Sequence, residues 1–225
     1  MSIILFDFDF TLGDSSKGIL ECFRYALESS GLPVPEDRAI LSTVGMSLRD
    51  ALSILAPGGS YDELRQAFVA RGDEVMVPSA IVYGEVPAVL SALRSRGYKT
   101  GIVTSKFRRR IEAILKRDGL EHLFDVVVGS EDVPNHKPNP DGIERAIRLL
   151  GGDKQSTTYV GDAVVDLEAA RAAGVRFMGV STGPTPAEEL AAHGVPVARG
   201  LKELLDLFPQ VAGTRNAARH EEVTL

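Results

Sequence analysis

The sequence has a single cysteine and no tryptophan, and it contains no long apolar run and no excess of basic residues. Cys22 has no partner for an internal disulfide, which is typical of proteins from a reducing compartment. No apolar run approaches the roughly 20 residues that a membrane-spanning helix needs. The first residues carry no basic side chain before Asp7, so they do not resemble a secretory signal. We therefore expect a cytoplasmic protein that has no membrane partner.

The charge balance limits the class of ligand. The formal net charge is −6, whereas proteins that bind nucleic acid independently of sequence usually carry a basic surface. A nucleic-acid partner is therefore not expected, but a few local cations could still bind a small anion. At 225 residues the chain can form one large domain, or a core domain that carries a smaller one. We expect a small-molecule substrate, and the sequence leaves the oligomeric state open.

Short, continuous apolar runs recur along the chain and predict strands that are buried on both faces, as in a parallel sheet. Helix-period segments separate these runs. The alternation predicts an α/β fold with a Rossmann-like parallel sheet, which binds its ligands beyond the carboxyl ends of the strands. The predicted strands span residues 3–6, 100–104, 125–129, 157–161, 176–180 and 195–198, and the predicted helices span residues 85–96, 108–117, 141–150, 167–173, 187–192 and 201–208.

One segment interrupts this alternation with helical patterns alone. Ile19, Phe23 and Leu27 recur at helical spacing, and further helical patterns follow with no convincing strand among them. We expect an all-helical domain, residues 15–81, to be inserted into an α/β core domain made of residues 1–14 and 82–211. Residues 212–225 are polar and aperiodic, and we expect them to form a flexible tail.

Two pairs of acidic residues follow two of the predicted strands. Asp7 and Asp9 are two apart on extended chain, so both side chains project to the same side. Asp162 and Asp166 have the spacing of neighbours on one helix face. Either pair alone is also typical of a turn or a helix cap. Four carboxylates at one edge of a sheet repel each other unless a cation joins them, so together they predict a Mg²⁺ site.

Hydroxyl and ammonium groups follow two other strands. Thr104 and Ser105 end an apolar run and offer hydroxyls and backbone amides at a helix start, an arrangement that suits phosphate. Lys137 lies in a loop stiffened by Pro138 and Pro140, and its charge could balance carboxylates and phosphate. Each feature alone is also typical of an ordinary helix cap or a solvated lysine. Together they predict a phosphate-binding group beside the acids.

In chain order, these elements resemble the four motifs of the haloacid dehalogenase superfamily. Its Asp-x-Asp-x-Thr motif matches residues 7–11, its second motif matches Thr104, its Lys-Pro motif matches residues 137–138, and its Gly-Asp-x-x-x-Asp motif matches residues 161–166. The helical insertion lies where this family has its C1 cap. One departure is Phe10, because phosphatases of the family commonly carry glycine there.

The resemblance implies a Mg²⁺-dependent phosphatase that works through an aspartyl-phosphate intermediate. Asp7 would be the nucleophile, and Asp9 would act as general acid and then as general base. Mg²⁺ would be bound by Asp7, by the backbone carbonyl of Asp9 and by Asp162, and Asp166 would act through water or a neighbouring ligand. The residues that would hold the phosphoryl oxygens are Thr104, Ser105 and Lys137.

Within the family, the chain looks most similar to phosphoglycolate phosphatases, partly through residues 44–49 of the predicted cap. In that segment Gly45 would let the chain approach the substrate closely, and Arg49 would bind the distal group of the substrate. An exposed helix arginine is the alternative interpretation of Arg49.

Other functions remain open at this point. A β-phosphoglucomutase-like phosphomutase would usually carry valine where Thr11 stands, and a pyrophosphatase could share all four motifs. A phosphorylatable receiver-like switch also combines acids, Mg²⁺, a hydroxyl and a lysine on an α/β sheet. Receivers lack a helical insertion after the first acidic strand, so the segment of residues 15–81 argues against that class.

A basic run, residues 106–110, spans the start of the helix predicted at residues 108–117. Cations at a helix N-terminus interact unfavourably with the helix dipole. One explanation for cations at this place is that some of the side chains face an incoming anion. We interpret the run as a solvated surface.

Overall fold

The computed structural model describes residues 1–211, and the tail predicted at residues 212–225 lies outside them. The strands are β1 (Ile3–Phe6), β2 (Gly13–Asp14), β3 (Ile81–Val82), β4 (Lys99–Val103), β5 (Val126–Val128), β6 (Thr157–Gly161), β7 (Arg176–Val180) and β8 (Val197–Ala198). The α-helices are α1 (Ser16–Ser29), α2 (Asp37–Leu41), α3 (Leu48–Leu55), α4 (Tyr61–Ser79), α5 (Val86–Ser95), α6 (Arg108–Asp118), α7 (Asp141–Leu150), α8 (Val164–Ala173), α9 (Ala187–Ala192) and α10 (Leu204–Leu207). No helix in this part of the chain is long and apolar enough to cross a bilayer.

Six strands form one parallel sheet in the order β5-β4-β1-β6-β7-β8, which confirms the predicted fold class. Strand β1 lies between β4 and β6, and Phe6 at its end is level with Ile102 and Val160. The residues that follow these three strands are therefore side by side. From β1 the later strands are added first on one side and then on the other, so this edge is the switch point where such sheets bind ligands.

Both faces of the sheet are buried. Ile4 and Phe6 of β1 belong to one hydrophobic cluster, and Ile3 and Leu5 belong to a second cluster. This alternation is the period of two expected of a strand. The first cluster includes residues of α5 and α6, and the second includes residues of α7, α8 and α9. Burial on both faces explains why the strands read as continuous apolar runs.

Helices α1 to α4 have a hydrophobic cluster of their own, which lies outside the two clusters of the sheet. In this cluster Phe23 of α1 and Phe68 of α4 meet edge to face, with their ring centroids 4.8 Å apart. Strands β2 and β3 pair antiparallel where the chain enters and leaves the helices. The sequence analysis did not predict this two-stranded connection, because two residues are too few to show a period.

Two arginines of α6 attach that helix to α4. Arg110 donates hydrogen bonds to Asp73 Oδ1, at 2.7 and 3.0 Å, and to the carbonyl of Val69. Arg117 donates to the carbonyls of Val77 and Ala80. The side chain of Arg110 is only 3% exposed, so the interpretation of the basic run as a solvated surface is wrong at this residue.

Candidate active site

The predicted functional side chains meet at the carboxyl edge of the sheet. The amide of Asp7 continues the pairing of β1 by donating to the carbonyl of Val160 at 2.9 Å, and the amide of Thr104 donates to that of Val128 at 3.0 Å. A cleft of about 950 Å³ opens between this edge and helices α1, α3 and α4. It is lined by Asp7, Asp9, Gly45, Arg49, Thr104, Ser105 and Lys137.

Three buried carboxylates form the base of the site. Asp7, Asp162 and Asp166 each offer one oxygen, and the three oxygens lie within 4.8 Å of one another. Burial, opposed by the charge of Lys137 and reinforced by the charges of Asp166 and Asp9, raises the pKa of Asp7 to about 7. Burial and the charge of Asp166 also hold the pKa of Asp162 well above its usual value. The group therefore strongly favours binding a cation.

Lys137 supplies one positive charge within this group. Its Nζ lies 2.6 Å from Asp166 Oδ1, 3.0 Å from Asp7 Oδ1 and 3.3 Å from the hydroxyl of Tyr159. Burial lowers the pKa of Lys137, but Asp166 and Asp7 outweigh it and raise that pKa well above its usual value. The hydroxyl of Tyr159 donates to the carbonyl of Val103 at 2.8 Å, which fixes the ring beside the lysine.

The donor set fits Mg²⁺. Carboxylate oxygens are ligands that Mg²⁺ prefers, and Asp7 Oδ1 is buried without a well-aligned hydrogen-bond donor in the described chain, although Lys137 is close. Asp162 is held in place by Thr11, whose hydroxyl donates to its Oδ1 at 3.0 Å. Gly183 lies against the same carboxylate, and a Cβ there would be 1.8 Å from Asp162 Oδ2. A side chain at position 183 would displace Asp162 from the group.

Asp166 also fixes the start of α8. Its Oδ2 accepts a hydrogen bond from the amide of Ala163 at 3.1 Å, while its Oδ1 faces Lys137. Both oxygens therefore have protein partners, and the side chain is fully buried. This geometry suits a residue that holds Lys137 in position rather than one that leaves an oxygen free for a ligand.

Asp9 is not one of the three carboxylates whose oxygens lie within 4.8 Å of one another. Its Oδ1 is 3.0 Å from Nζ of Lys106, and the lysine side chain is only 3% exposed. Both residues line the cleft. Lys106 begins the basic run interpreted as a solvated surface, and that interpretation is wrong here because the side chain turns inward to pair with an acid.

Thr104 and Ser105 have different surroundings. Thr104 is buried, and its hydroxyl oxygen accepts from the amide of Lys106 at 3.2 Å. The Ser105 hydroxyl, which the sequence predicts to bind phosphate, donates instead to the carbonyl of Gly45 at 2.7 Å. Ser105 thus connects the sheet edge to the helical insertion.

Gly45 and Arg49 lie on the helical side of the cleft. Gly45 has a φ of 95° and approaches the core so closely that a Cβ would be 3.1 Å from Cγ1 of Val165. Arg49 is exposed, and its guanidinium carbon lies 3.7 Å from the ring centroid of Tyr61. The structure therefore brings the predicted specificity segment against the cleft.

Phe10 has a φ of 60°, a left-handed conformation in which a bulky residue is uncommon. Its amide donates to the carbonyl of Gly13 at 2.7 Å, and its carbonyl accepts from the hydroxyl of Thr182. This conformation explains why glycine suits the position, since glycine adopts it without steric cost.

Several residues around the site were not singled out by sequence reasoning. Thr11 appeared only as a motif position, and Lys106 and Arg110 were noticed only as a basic run. The remaining residues gave no recognisable local signal, because their contacts with the site come from long-range packing. They are Tyr61, Arg65, Tyr159 and Gly183.

Comparison with known proteins agrees with this geometry. The haloacid dehalogenase-like hydrolase family model matches residues 4–180. A protein named probable phosphatase IndB, from Dickeya dadantii, is 32% identical over 96% of the chain and 94% of its own length. Pyrophosphatase PpaX of Bacillus pumilus is 32% identical over 86% of this chain and 89% of its own length. Phosphoglycolate phosphatase of Aquifex aeolicus is 30% identical over 78% of this chain and 83% of its own length. A haloacid dehalogenase-like hydrolase from Bacteroides fragilis superposes with a TM-score of 0.86 at 36% identity, covering 91% of this chain and 99% of that one.

The chain belongs to the haloacid dehalogenase-like hydrolases. The resemblance inferred from the four motifs is therefore confirmed, as is the expectation of an enzyme. The particular substrate is a separate question, because the named relatives do not share one.

Proposed function

We propose that the protein is a Mg²⁺-dependent phosphatase that hydrolyses a small phosphomonoester through an aspartyl-phosphate on Asp7. The observation that carries this proposal is the position of Lys137, within 3.0 Å of Asp7 and 2.6 Å of Asp166, among three carboxylates that lie within 4.8 Å of one another. A buried cluster of this kind with one lysine is suited to a second cation and to the oxygens of a phosphoryl group.

Asp7 is the nucleophile in this proposal. Its carboxylate oxygen attacks phosphorus in line, a P–O bond forms to Asp7, and the bond to the leaving oxygen breaks. Lys137 stays protonated and offsets the charge of the attacking carboxylate and of the phosphoryl oxygens. Thr104, at the end of β4, lies at the cleft edge where these oxygens enter.

Asp9 moves the protons. In its acid form it protonates the leaving oxygen, and the resulting carboxylate then takes a proton from the water that attacks phosphorus in the aspartyl-phosphate. That second step releases inorganic phosphate and restores the carboxylate of Asp7. The position of Asp9 on the cleft, outside the three-carboxylate group, supports this role.

Mg²⁺ would be held by the carboxylates of Asp7 and Asp162 and by the backbone carbonyl of Asp9. When bound, it would neutralise charge on the acids and the phosphoryl oxygens. Asp166 would act by orienting Lys137, because both of its oxygens already have partners in the protein.

Two leaving groups are candidates for this site. A phosphoglycolate-like ester is supported by the Aquifex aeolicus relative and by Arg49, a cation on the cleft that could bind a carboxylate. Pyrophosphate is a second candidate, because the Bacillus pumilus relative is named a pyrophosphatase. For either substrate the same residues would carry the chemistry.

The test is phosphate release with Mg²⁺ from phosphoglycolate, p-nitrophenyl phosphate, sugar phosphates, nucleotides and pyrophosphate. We expect turnover that is lost on EDTA treatment and in Asp7→Asn. The fastest substrate would distinguish phosphoglycolate from pyrophosphate. Turnover of all substrates by Asp7→Asn at the wild-type rate would contradict the assignment of the nucleophile.

A further inference from the structure

We propose that Arg65 and Tyr61 complete, around Arg49, a binding site for an anionic group carried by the leaving part of the substrate. This inference rests on the proposed function and defines its substrate class: phosphoesters that bear a carboxylate or a second phosphate. Neither Arg65 nor Tyr61 belongs to a motif recognised in the sequence.

Tyr61 positions Arg49. The guanidinium carbon of Arg49, on α3, lies 3.7 Å from the centroid of the Tyr61 ring, on α4. A guanidinium that stacks on an aromatic ring keeps its N–H groups available at the edge of its plane. No carboxylate of residues 1–211 pairs with Arg49, although the residue lines the cleft. Its donors are therefore free for a ligand.

Arg65 adds a second cation to the same surface. It follows Tyr61 by four positions on α4, so the two side chains are neighbours on one helix face. It lines the cleft and, within the described residues, has no acidic partner. Arg110, the third arginine on the cleft, differs because Asp73 accepts two of its hydrogen bonds.

The two sides of the cleft therefore differ in chemistry. The sheet edge presents Asp7, Asp9 and Lys137, and the helical insertion presents Asp50 together with two arginines that form no ion pair within residues 1–211. In this proposal the phosphoryl group binds at the sheet edge and the leaving group lies against the insertion. An anionic leaving group can accept charge-assisted hydrogen bonds there, whereas a neutral one cannot.

The experiment compares two esters that differ in one anionic group, phosphoglycolate and ethyl phosphate. Their dissociation constants are measured with Mg²⁺ by calorimetry in the non-hydrolysing Asp7→Asn background, and kcat and KM are measured in the wild-type background. The variants are Arg65→Ala, Tyr61→Leu and Tyr61→Phe. The matched control is Arg38→Ala, an exposed arginine of the insertion that does not line the cleft.

For phosphoglycolate we expect Arg65→Ala to raise Kd and KM roughly tenfold or more, the scale of a lost charge-assisted hydrogen bond. Tyr61→Leu should raise them roughly three- to tenfold, because the stacking is lost, whereas Tyr61→Phe, which keeps the ring, should stay within about twofold. Binding of ethyl phosphate should stay within about twofold in every variant, and Arg38→Ala should affect neither ester.

Equal effects on both esters would overturn the proposal, as would an Arg38→Ala effect as large as that of Arg65→Ala. Failure of wild-type and Asp7→Asn protein to bind phosphoglycolate more tightly than ethyl phosphate would overturn it as well. The proposed chemistry is tested separately, because it requires only that turnover of some phosphoester depends on Asp7.

Discussion

Nζ of Lys106 lies 3.0 Å from Oδ1 of Asp9, and the lysine side chain is only 3% exposed. The pair holds the carboxylate that we assign to proton transfer, while Oδ1 of Asp7, the carboxylate that we assign to nucleophilic attack, lies 3.0 Å from Nζ of Lys137. Each of these two acids thus has its own lysine.

Lys106→Met should lower kcat for p-nitrophenyl phosphate about tenfold or more, since Asp9 loses the partner that orients it, and general acid–base catalysis contributes roughly 10²- to 10⁴-fold. KM should change less, within about threefold. Steady-state kinetics measure both constants, and the control is Lys116→Met, an exposed lysine of α6. Wild-type kcat in Lys106→Met would show that the pair has no functional role.

The raised pKa of Asp7 predicts that the metal-free protein loses stability as the pH rises. Because the pKa in the folded protein is about 7 and the ordinary value is 3.8, folding favours the protonated acid. The stabilisation is complete below about pH 4 and is lost as the pH rises through 7.

In EDTA at pH 7.5, Asp7→Asn should therefore be more stable than wild type, by on the order of a few kcal/mol. The difference should shrink toward pH 4, and Mg²⁺ should reduce it at pH 7.5 by stabilising the wild type. Urea unfolding of both proteins at pH 7.5 and at pH 4 measures the difference in their free energies of unfolding. An Asp7→Asn variant that is less stable than wild type at pH 7.5 in EDTA would contradict the assigned environment of Asp7.

The sheet could be predicted from sequence because its residues obey local rules. Strands β1, β6 and β7 and helices α7 and α9 have the predicted bounds, since continuous apolar runs and helical periods are set by burial on one or both faces. Strands β2 and β3 were missed, because two residues cannot display a period. This pair lies at the two ends of the insertion predicted at residues 15–81.

The site could be predicted in part for the same reason. Asp7 and Asp162 follow apolar strands directly, so strand order alone brings them together. Lys106 and Arg110 were misread because nothing local distinguishes a cation that turns toward a distant acid from one that faces water. Their partners, Asp9 and Asp73, are far away in the chain.

The hydrogen bond from Ser105 to the carbonyl of Gly45 predicts a modest effect of Ser105→Ala. Loss of a hydrogen bond worth about 1 kcal/mol between core and insertion should lower kcat/KM about fivefold, because the insertion is held less firmly against the sheet edge. Inhibition by inorganic phosphate should change little, because the hydroxyl is engaged by Gly45. Inhibition constants for phosphate, measured beside kcat/KM, distinguish a hydroxyl that attaches the insertion from one that binds phosphate. A large loss of phosphate affinity in Ser105→Ala would favour direct phosphate binding.

Gly72 of α4 makes room for the buried arginine of α6. A Cβ at position 72 would lie 2.6 to 2.8 Å from the guanidinium atoms of Arg110. Gly72→Ala should therefore destabilise the protein by roughly 1–3 kcal/mol, despite the higher helix propensity of alanine.

A double-mutant cycle isolates this contact. In the Arg110→Ala background, Gly72→Ala should be neutral or stabilising by up to about 1 kcal/mol, because the clash is gone and only helix propensity remains. Unfolding free energies of the four proteins give the coupling. Equal effects of Gly72→Ala in both backgrounds would mean that the two side chains do not meet.

The most direct test of the central claim is to trap the acyl phosphate. Protein turning over p-nitrophenyl phosphate with Mg²⁺ is quenched and reduced with borohydride, which converts an aspartyl-phosphate into homoserine, and the peptides are mapped by mass spectrometry. The account predicts homoserine at position 7, only during turnover, with Asp9, Asp162 and Asp166 unchanged. Steady phosphate release with no conversion at position 7, or with conversion at another aspartate, would contradict it.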